Sequence, residues 1–148
     1  MITIDSNVFI YLLDDASPAK QAIAAQVIPA VSARPAAIAL QVVGEVQSVA
    51  IRKLKIPPFI AAQFARNILT TFDTLGAISA DADVALGQLA SGRLSYWDAL
   101  LIACTRRNGC STLLTEDMQD GATILGLEIV NPFGPDGLSR RASEVLAA

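Results

Sequence analysis

Four carboxylates stand in apolar sequence where a carboxylate has no structural role of its own: Asp5, Glu45, Asp98 and Asp117. Asp5 ends the run Met1-Ile2-Thr3-Ile4, and Glu45 lies within Leu40-Gln41-Val42-Val43-Gly44-Glu45-Val46. Asp98 opens Trp97-Asp98-Ala99-Leu100-Leu101-Ile102-Ala103, and Asp117 follows Thr112-Leu113-Leu114-Thr115-Glu116. Taking a carboxylate out of water is costly unless it is paired or metal-bound. The chain has 11 Lys and Arg and no His, and no basic residue sits beside any of the four acids. A fold for this chain must therefore give the acids a partner, and a divalent cation is the natural one.

The alternation of short apolar runs with helical periods sets the fold class. Met1 to Ile4 reads as a strand, Asp5-Ser6-Asn7 as a turn and N-cap cluster, and Val8 to Leu13 as a helix. Ser17-Pro18 opens a second helix that runs to about Ile28, where Pro29 is expected to stop it, and Ala36 to Ala39 is a second strand. Val43, Val46, Val49, Ala50 and Leu54 recur at three- and four-residue spacing, which predicts a helix over Gln41 to Lys55 ended by Pro57-Pro58. Phe59 to Phe72 repeats that period, Ala77 to Ser79 is a weak strand, Asp81 to Ala90 a helix, and Trp97 to Arg107 a strongly apolar helix closed by Asn108-Gly109. Ser111 to Leu114 is a strand, Thr115 to Gly121 a polar loop, Ala122 to Leu125 a short helix and Leu127 to Val130 the last strand.

Strands that alternate with helices predict a parallel sheet covered on both faces, with ligands bound at the carboxyl edge of its strands. Asp5 and Thr115-Glu116-Asp117 fall on that edge. Residues 1–133 are expected to form one domain, and residues 134–148, opening with a Pro- and Gly-rich stretch, a C-terminal tail.

Composition narrows the function classes. Hydrophobic residues make up 53% of the 148, with mean hydropathy +0.47, but no unbroken apolar stretch approaches the roughly 18 residues of a spanning helix. The N-terminal run has no basic region ahead of it and holds Asp5, so neither a membrane association nor a secretory signal is expected, and the expected location is cytoplasmic. Cys104 and Cys110 do not form a C-x-x-C pair and have no His to complete a zinc site, so both read as buried thiols. A net charge of -3 and a pI near 4.8 argue against broad, unspecific nucleic-acid binding while leaving room for a local basic patch.

Hard cations such as magnesium take oxygen ligands and organise phosphate chemistry, which suits four carboxylates and no histidine. The residues also resemble the PIN domain family, small metal-dependent ribonucleases that include the VapC-type toxins of bacterial toxin–antitoxin pairs. The resemblance covers roughly residues 1 to 133. It rests on Ile4-Asp5-Ser6-Asn7-Val8, on Glu45 in a helix after the second strand, on Leu94-Ser95-Tyr96-Trp97-Asp98-Ala99-Leu100-Leu101, and on Leu114-Thr115-Glu116-Asp117-Met118. It implies a three-layer α/β/α sandwich with a central parallel sheet of four to five strands. It further implies a metal-dependent endoribonuclease, the toxin of a type II pair, that cleaves single-stranded or structured RNA with metal-activated water. Asp5, Glu45, Asp98 and Asp117 become the metal-coordinating and water-activating acids, with Mg2+ as the ion and Mn2+ as its alternative. Asn7 and Thr115 support them, and Glu116 and Asp120 are further acids of the same loop. An antitoxin protein and a second copy of the chain are the implied partners, beside the RNA.

Each acid also has a plain competing reading. Asp5 can cap the following helix, Asp98 can sit in a helix N-terminus for its dipole, and Glu45 can lie on a solvated face. Arg34, Arg52, Lys53 and Arg93 are candidates for the RNA backbone, against the ordinary preference of cations for helix C-termini. Two other functions compete with the nuclease. One is a haloacid-dehalogenase-like phosphatase, which wants a second Asp where this chain has Asn7 and gives Glu45 and Asp98 no role. The other is a PIN-like module that binds RNA or protein without catalysis.

Overall fold

The computed structural model describes all 148 residues. In chain order its elements are β1 (Ile2–Ile4), α1 (Ser6–Tyr11), α2 (Pro18–Ser32), β2 (Ala37–Ala39), α3 (Leu40–Arg52), α4 (Pro58–Thr71), β3 (Asp73–Leu75), α5 (Ser79–Ala90), α6 (Tyr96–Arg107), β4 (Thr112–Leu114), β5 (Thr123–Ile124), β6 (Leu127–Val130), β7 (Phe133–Gly134), β8 (Gly137–Leu138) and α7 (Arg140–Ala147). Every residue of β1, β2 and β4 is buried, as strands covered on both faces must be.

β1 pairs in parallel with β4 and β4 with β6, while β2 pairs in parallel with β3. A parallel bridge between Ile2 and Ala36 joins the two groups, so the strands run β3-β2-β1-β4-β6-β5 across the molecule. The expected α/β sandwich about a mainly parallel sheet is therefore what forms. From β1 the chain crosses outward to β2 and β3, then returns to the other side of β1 as β4. The strand order reverses between β1 and β4, and the crevice beyond their carboxyl ends is where such sheets bind ligands.

The core is aliphatic, centred on Ile4, Val8, Phe9, Ile38, Leu113, Leu114 and Ile129, with Phe9 meeting Phe72 edge to face at 6.0 Å. Phe72 is thus a core residue. No helix is long and apolar enough to cross a membrane.

Several boundaries differ from the sequence reading. α2 continues through Pro29 to Ser32, because the ring lies in the last turn, Ala33 N–H reaches Pro29 O, and Val27 and Val31 are buried on one face. α3 stops at Arg52, before Pro57: Lys55 turns the chain at φ +57° and Ile56 N–H bonds back to Ala50 O. The third strand is Asp73–Leu75, because Ile78 N–H donates to the Asp81 carboxylate and is drawn into the cap of α5. Its exposed Asp73 and Thr74 offer no apolar alternation to read.

The expected helix at Ala122 to Leu125 is a hairpin strand, Thr123–Ile124, antiparallel to β6. Leu125 and Gly126 form its two-residue turn with φ +50° and +82°, the pattern of a type I′ connection. The C-terminal segment carries α7, capped by Ser139 Oγ on Ala142 N–H, with Ala142 and Leu146 buried in the core. Leu146→Ala is expected to lower the unfolding free energy by about 2–3 kcal/mol, read as a shifted urea midpoint. A helix that only trails in solvent would leave the midpoint unchanged.

Candidate active site

Parallel pairing of β1 with β4 carries two chain segments out of the sheet side by side. Asp5 N–H donates to Leu114 O at 3.0 Å and Thr115 N–H to Val130 O at 3.0 Å, so the ladder extends one residue past each strand. Asp5 and Thr115 then face each other, and the Thr115 hydroxyl donates to Asp5 Oδ2 at 2.8 Å. Asp5 is also the N-cap of α1, its Oδ1 accepting from Ser6 N–H at 2.7 Å. The capping reading and the site reading are both true of this residue.

Neutral donors knit the remaining acids to this pair. Ser6 Oγ donates to Glu45 Oε2 at 2.8 Å and also lies 3.4 Å from Asp5 Oδ1. Asn7 Nδ2 reaches Asp117 Oδ2 at 2.9 Å and Thr115 Oγ1 at 3.1 Å. Gln41, one turn before Glu45, donates to Glu45 Oε1 at 2.9 Å and to the Trp97 carbonyl at 3.0 Å, tying α3 to the start of α6. Asp98 enters in the first turn of α6, its N–H bonded to the N-cap Ser95 hydroxyl at 3.2 Å.

The electrostatics trace a ring of acids. Asp5 is 4% exposed, and desolvation raises its pKa from 3.8 to about 6, against the Thr115 and Ser6 hydrogen bonds and with help from the Glu45 and Asp117 charges. Asp98 is raised as well, first by desolvation, with the Ser95 hydrogen bond opposing and Asp117 and Glu45 adding to it. Asp5 and Asp98 thus each feel Glu45 and Asp117, and no Lys or Arg acts on either. The negative charge on Asp5 and Asp98 is thus uncompensated by any side chain of the protein.

The donor set fits a hard divalent cation in kind. It is all oxygen, it carries uncompensated negative charge, and Asn7 Oδ1 is a buried acceptor with no partner. In spacing the carboxylates do not close on one point: no three of them stand close enough together to hold a single ion. The hydroxyls and amides of Ser6, Asn7, Gln41 and Thr115 fill the gaps between them. Drawing three carboxylates onto one ion calls for side-chain rotation, for which the exposed Asp117 is the freest of the four.

The other acids of the loop go elsewhere. Glu116 points away from Asp5: it accepts from the Tyr11 hydroxyl and from Lys20 Nζ at 2.6 Å, and Lys20 also lies 4.7 Å from the Tyr11 ring centre and 5.5 Å from that of Phe133. This brace anchors the segment that carries Thr115 and Asp117. Asp120 accepts from Asn131 N–H at 2.8 Å and lies 3.5 Å from Arg141 Nε, on the α7 side.

The four candidate cations separate in the same way. Lys53 lines a cavity with Ser6, Asn7 and Asp117, and Arg52 lines another with Glu45 and Trp97. Arg93 is exposed in the turn before α6 and pairs with no carboxylate. Arg34 donates to Ala30 O at 2.7 Å beside Met1, Ile2 and Thr112, at the opposite end of the parallel strands from the acids. The strands themselves separate Arg34 from the acids at the carboxyl edge. Ser6, Gln41, Lys20 and Tyr11 were not read as site residues. Only Ser6 and Gln41 carried a signal, by adjacency to Asp5 and by i,i+4 spacing to Glu45.

A protein-family model for the PIN domain matches residues 2–119. The chain belongs to the PIN domain family. Among solved structures this PIN domain is similar to the sarcin–ricin loop cleaving toxin VapC20 of Mycobacterium tuberculosis, at 19% identity and TM-score 0.66 over 79% of this chain and 90% of that one. It is similar to a toxin–antitoxin complex from Klebsiella pneumoniae, at 24% identity and TM-score 0.62 over 90% and 98% of the two chains. It is also similar to VapBC2 from Rickettsia felis bound to a promoter DNA fragment, at 14% identity and TM-score 0.62 over 87% and 97%. No curated protein sequence matches the chain. At these identities the neighbours speak for the fold. Membership of the PIN domain family leaves no place for the haloacid-dehalogenase-like alternative.

The buried Asp5 carboxyl has a consequence for the metal-free protein. Its pKa is higher folded than unfolded, so its proton favours the fold at low pH, and that contribution is lost as pH rises from about 4 through about 6. Comparing parent with Asp5→Asn by urea unfolding in EDTA, the parent is expected to lose roughly 3 kcal/mol across that window that the variant does not lose. Parallel pH profiles for the two proteins would contradict it.

Proposed function

We propose that this PIN domain is a metal-dependent endoribonuclease, acting as the toxin of a type II toxin–antitoxin pair. The observation that carries the reading is the ring of Asp5, Glu45, Asp98 and Asp117, with no cationic side chain acting on Asp5 or Asp98, at the point where the strand order reverses. Asp5, Glu45, Asp98 and Asp117 would hold Mg2+, with Mn2+ as the alternative ion. A divalent cation bound there supplies Lewis acidity, both for activating water and for neutralising charge on a phosphodiester.

The chain's own residues do the rest. Thr115 Oγ1 and Ser6 N–H orient the Asp5 carboxylate, Asn7 holds Asp117 toward it, and Gln41 with Ser6 fixes both oxygens of Glu45. With no histidine in the chain, the proton released by the attacking water passes to a carboxylate or to solvent. Lys53 and Arg52, at the end of α3, line cavities that hold Asp117 and Glu45 respectively and suit the flanking phosphates of a strand drawn across the site.

Two of the structural neighbours are a toxin–antitoxin complex and a VapBC assembly, which supports an antitoxin protein as partner. Phe59, Ile60 and Leu69 on α4 are exposed apolar residues suited to a protein contact, and a homodimer is part of the proposal.

The purified chain, freed of any partner, is expected to cut single-stranded RNA with Mg2+ or Mn2+ and to stop in EDTA. Asp5→Asn and Asp98→Asn are each expected to slow cleavage by about a hundredfold or more, with circular dichroism reporting that the variants fold. RNA cleavage by both variants at the parent's rate would sink the proposal, and a folded parent with no cleavage would favour the non-catalytic binding module.

A further inference from the structure

Trp97 is the single tryptophan of the chain and is 61% exposed, immediately before Asp98 at the mouth of the acid ring. Tyr96 meets it edge to face at 5.0 Å and 79°, and Gln41 holds its backbone carbonyl at 3.0 Å. Trp97 lines a groove of about 560 Å3 that runs along α3 from Gln41 past Gly44, Glu45 and Ser48 to Arg52. A groove of this size accepts a small organic ligand.

The lining has the composition of a nucleotide site. A planar aromatic stands at one side, the amides of Gln41 and Gln47 and the hydroxyl of Ser48 offer donors and acceptors, and Arg52 forms no ion pair within the chain. The groove is open at Gly44, where a Cβ would meet nothing within 4 Å. The second cavity beside the acids, with Lys53, Ser6, Asn7 and Asp117, shares Val49 with this groove. The two recesses therefore adjoin, one holding Glu45 and the other Asp117, each with one basic residue, and only the Trp97 recess has an aromatic side chain exposed over most of its surface.

We propose that this groove is a nucleobase subsite, in which an unpaired base of single-stranded RNA stacks on Trp97 while Arg52 takes the adjoining phosphate. The inference rests on the RNA-cleaving reading of the acids and adds to it the class of substrate: a strand with at least one splayed, unstacked base next to the cut. Stacking on an aromatic accepts any base, so the subsite selects single-stranded character above sequence. A protein segment is the competing occupant. Arg52 favours the nucleic acid, since its free positive charge beside the acids is complementary to phosphate.

Because Trp97 is the only tryptophan, its fluorescence reports on the groove directly. The test uses the full chain in an Asp5→Asn background with Mg2+, where cleavage is expected to be slow, and a short unstructured RNA. The RNA should quench the indole saturably, and the same strand with abasic positions should not. By anisotropy of labelled RNA, Trp97→Ala should weaken binding about tenfold, and Trp97→Phe should retain most of the affinity. Trp97 is on the surface, so loss of folding is not the expected result of either change.

RNA bound in anisotropy with an unchanged indole signal, and equal affinity for Trp97→Ala, would overturn the subsite while leaving the ribonuclease reading intact. A Trp97→Ala variant impaired only toward a protein partner would overturn it too and assign the groove to protein. A parent that neither binds nor cleaves RNA would overturn both readings together.

Discussion

The parallel pairing of β1 with β4 is the constraint on which the site depends. Those two strands leave the sheet in register, so the residue after each faces the other, and a buried Asp5 carboxylate meets a Thr115 hydroxyl at 2.8 Å. Asp5 can be buried only because its oxygens are met by Thr115 and Ser6 N–H, and even so desolvation pushes its pKa up to about 6. The fold holds an acid that resists ionisation in place by hydrogen bonds to neutral groups. No basic side chain is among its partners, so the hydrogen bonds alone offset the cost of its burial.

Around that pair the helices act as positioning rods. α1 begins on Asp5 itself and brings Ser6 and Asn7 to Glu45 and Asp117; α3 presents Gln41 and Glu45 one turn apart; α6 presents Asp98 in its first turn, where the helix dipole favours it. Hydroxyls and amides separate carboxylates that would otherwise repel. Outside this ring, the Lys20–Glu116–Tyr11 brace fixes the loop after β4, and Asp120 turns to Asn131 and Arg141. Three acids within five residues of one another therefore do three different jobs, distinguished by what lies opposite each.

Much of this was legible in the sequence because burial and charge conflict openly there. An Asp ending an apolar run, a Glu within a Val-rich helix and an Asp opening another apolar helix are visible as costs that need repayment, and the structure draws all of them to one edge. The strand–helix alternation was legible too, since periods of 2 and 3.6 differ. What escaped notice had no such conflict to advertise. The edge strand Asp73–Leu75 lacks an apolar face, and Leu125-Gly126 reads as helix until its positive φ angles are known. Pro29 reads as a stop until the packing of Val27 and Val31 outweighs it.

By itself the sequence determined the α/β class and the order of the elements, because these follow from local periodicity, and it singled out Asp5 as an acid that needs a partner, because burying charge is costly. Only the tertiary structure decided which acid of the 116–120 loop faces Asp5, that Arg34 lies at the far end of the strands, and that Trp97 stands exposed at the rim of the acid ring. Those are matters of register and of which way a side chain leaves the backbone. They are set by contacts between residues about forty to 110 positions apart, such as Ser6 with Glu45 and Asp5 with Thr115, which no local pattern records.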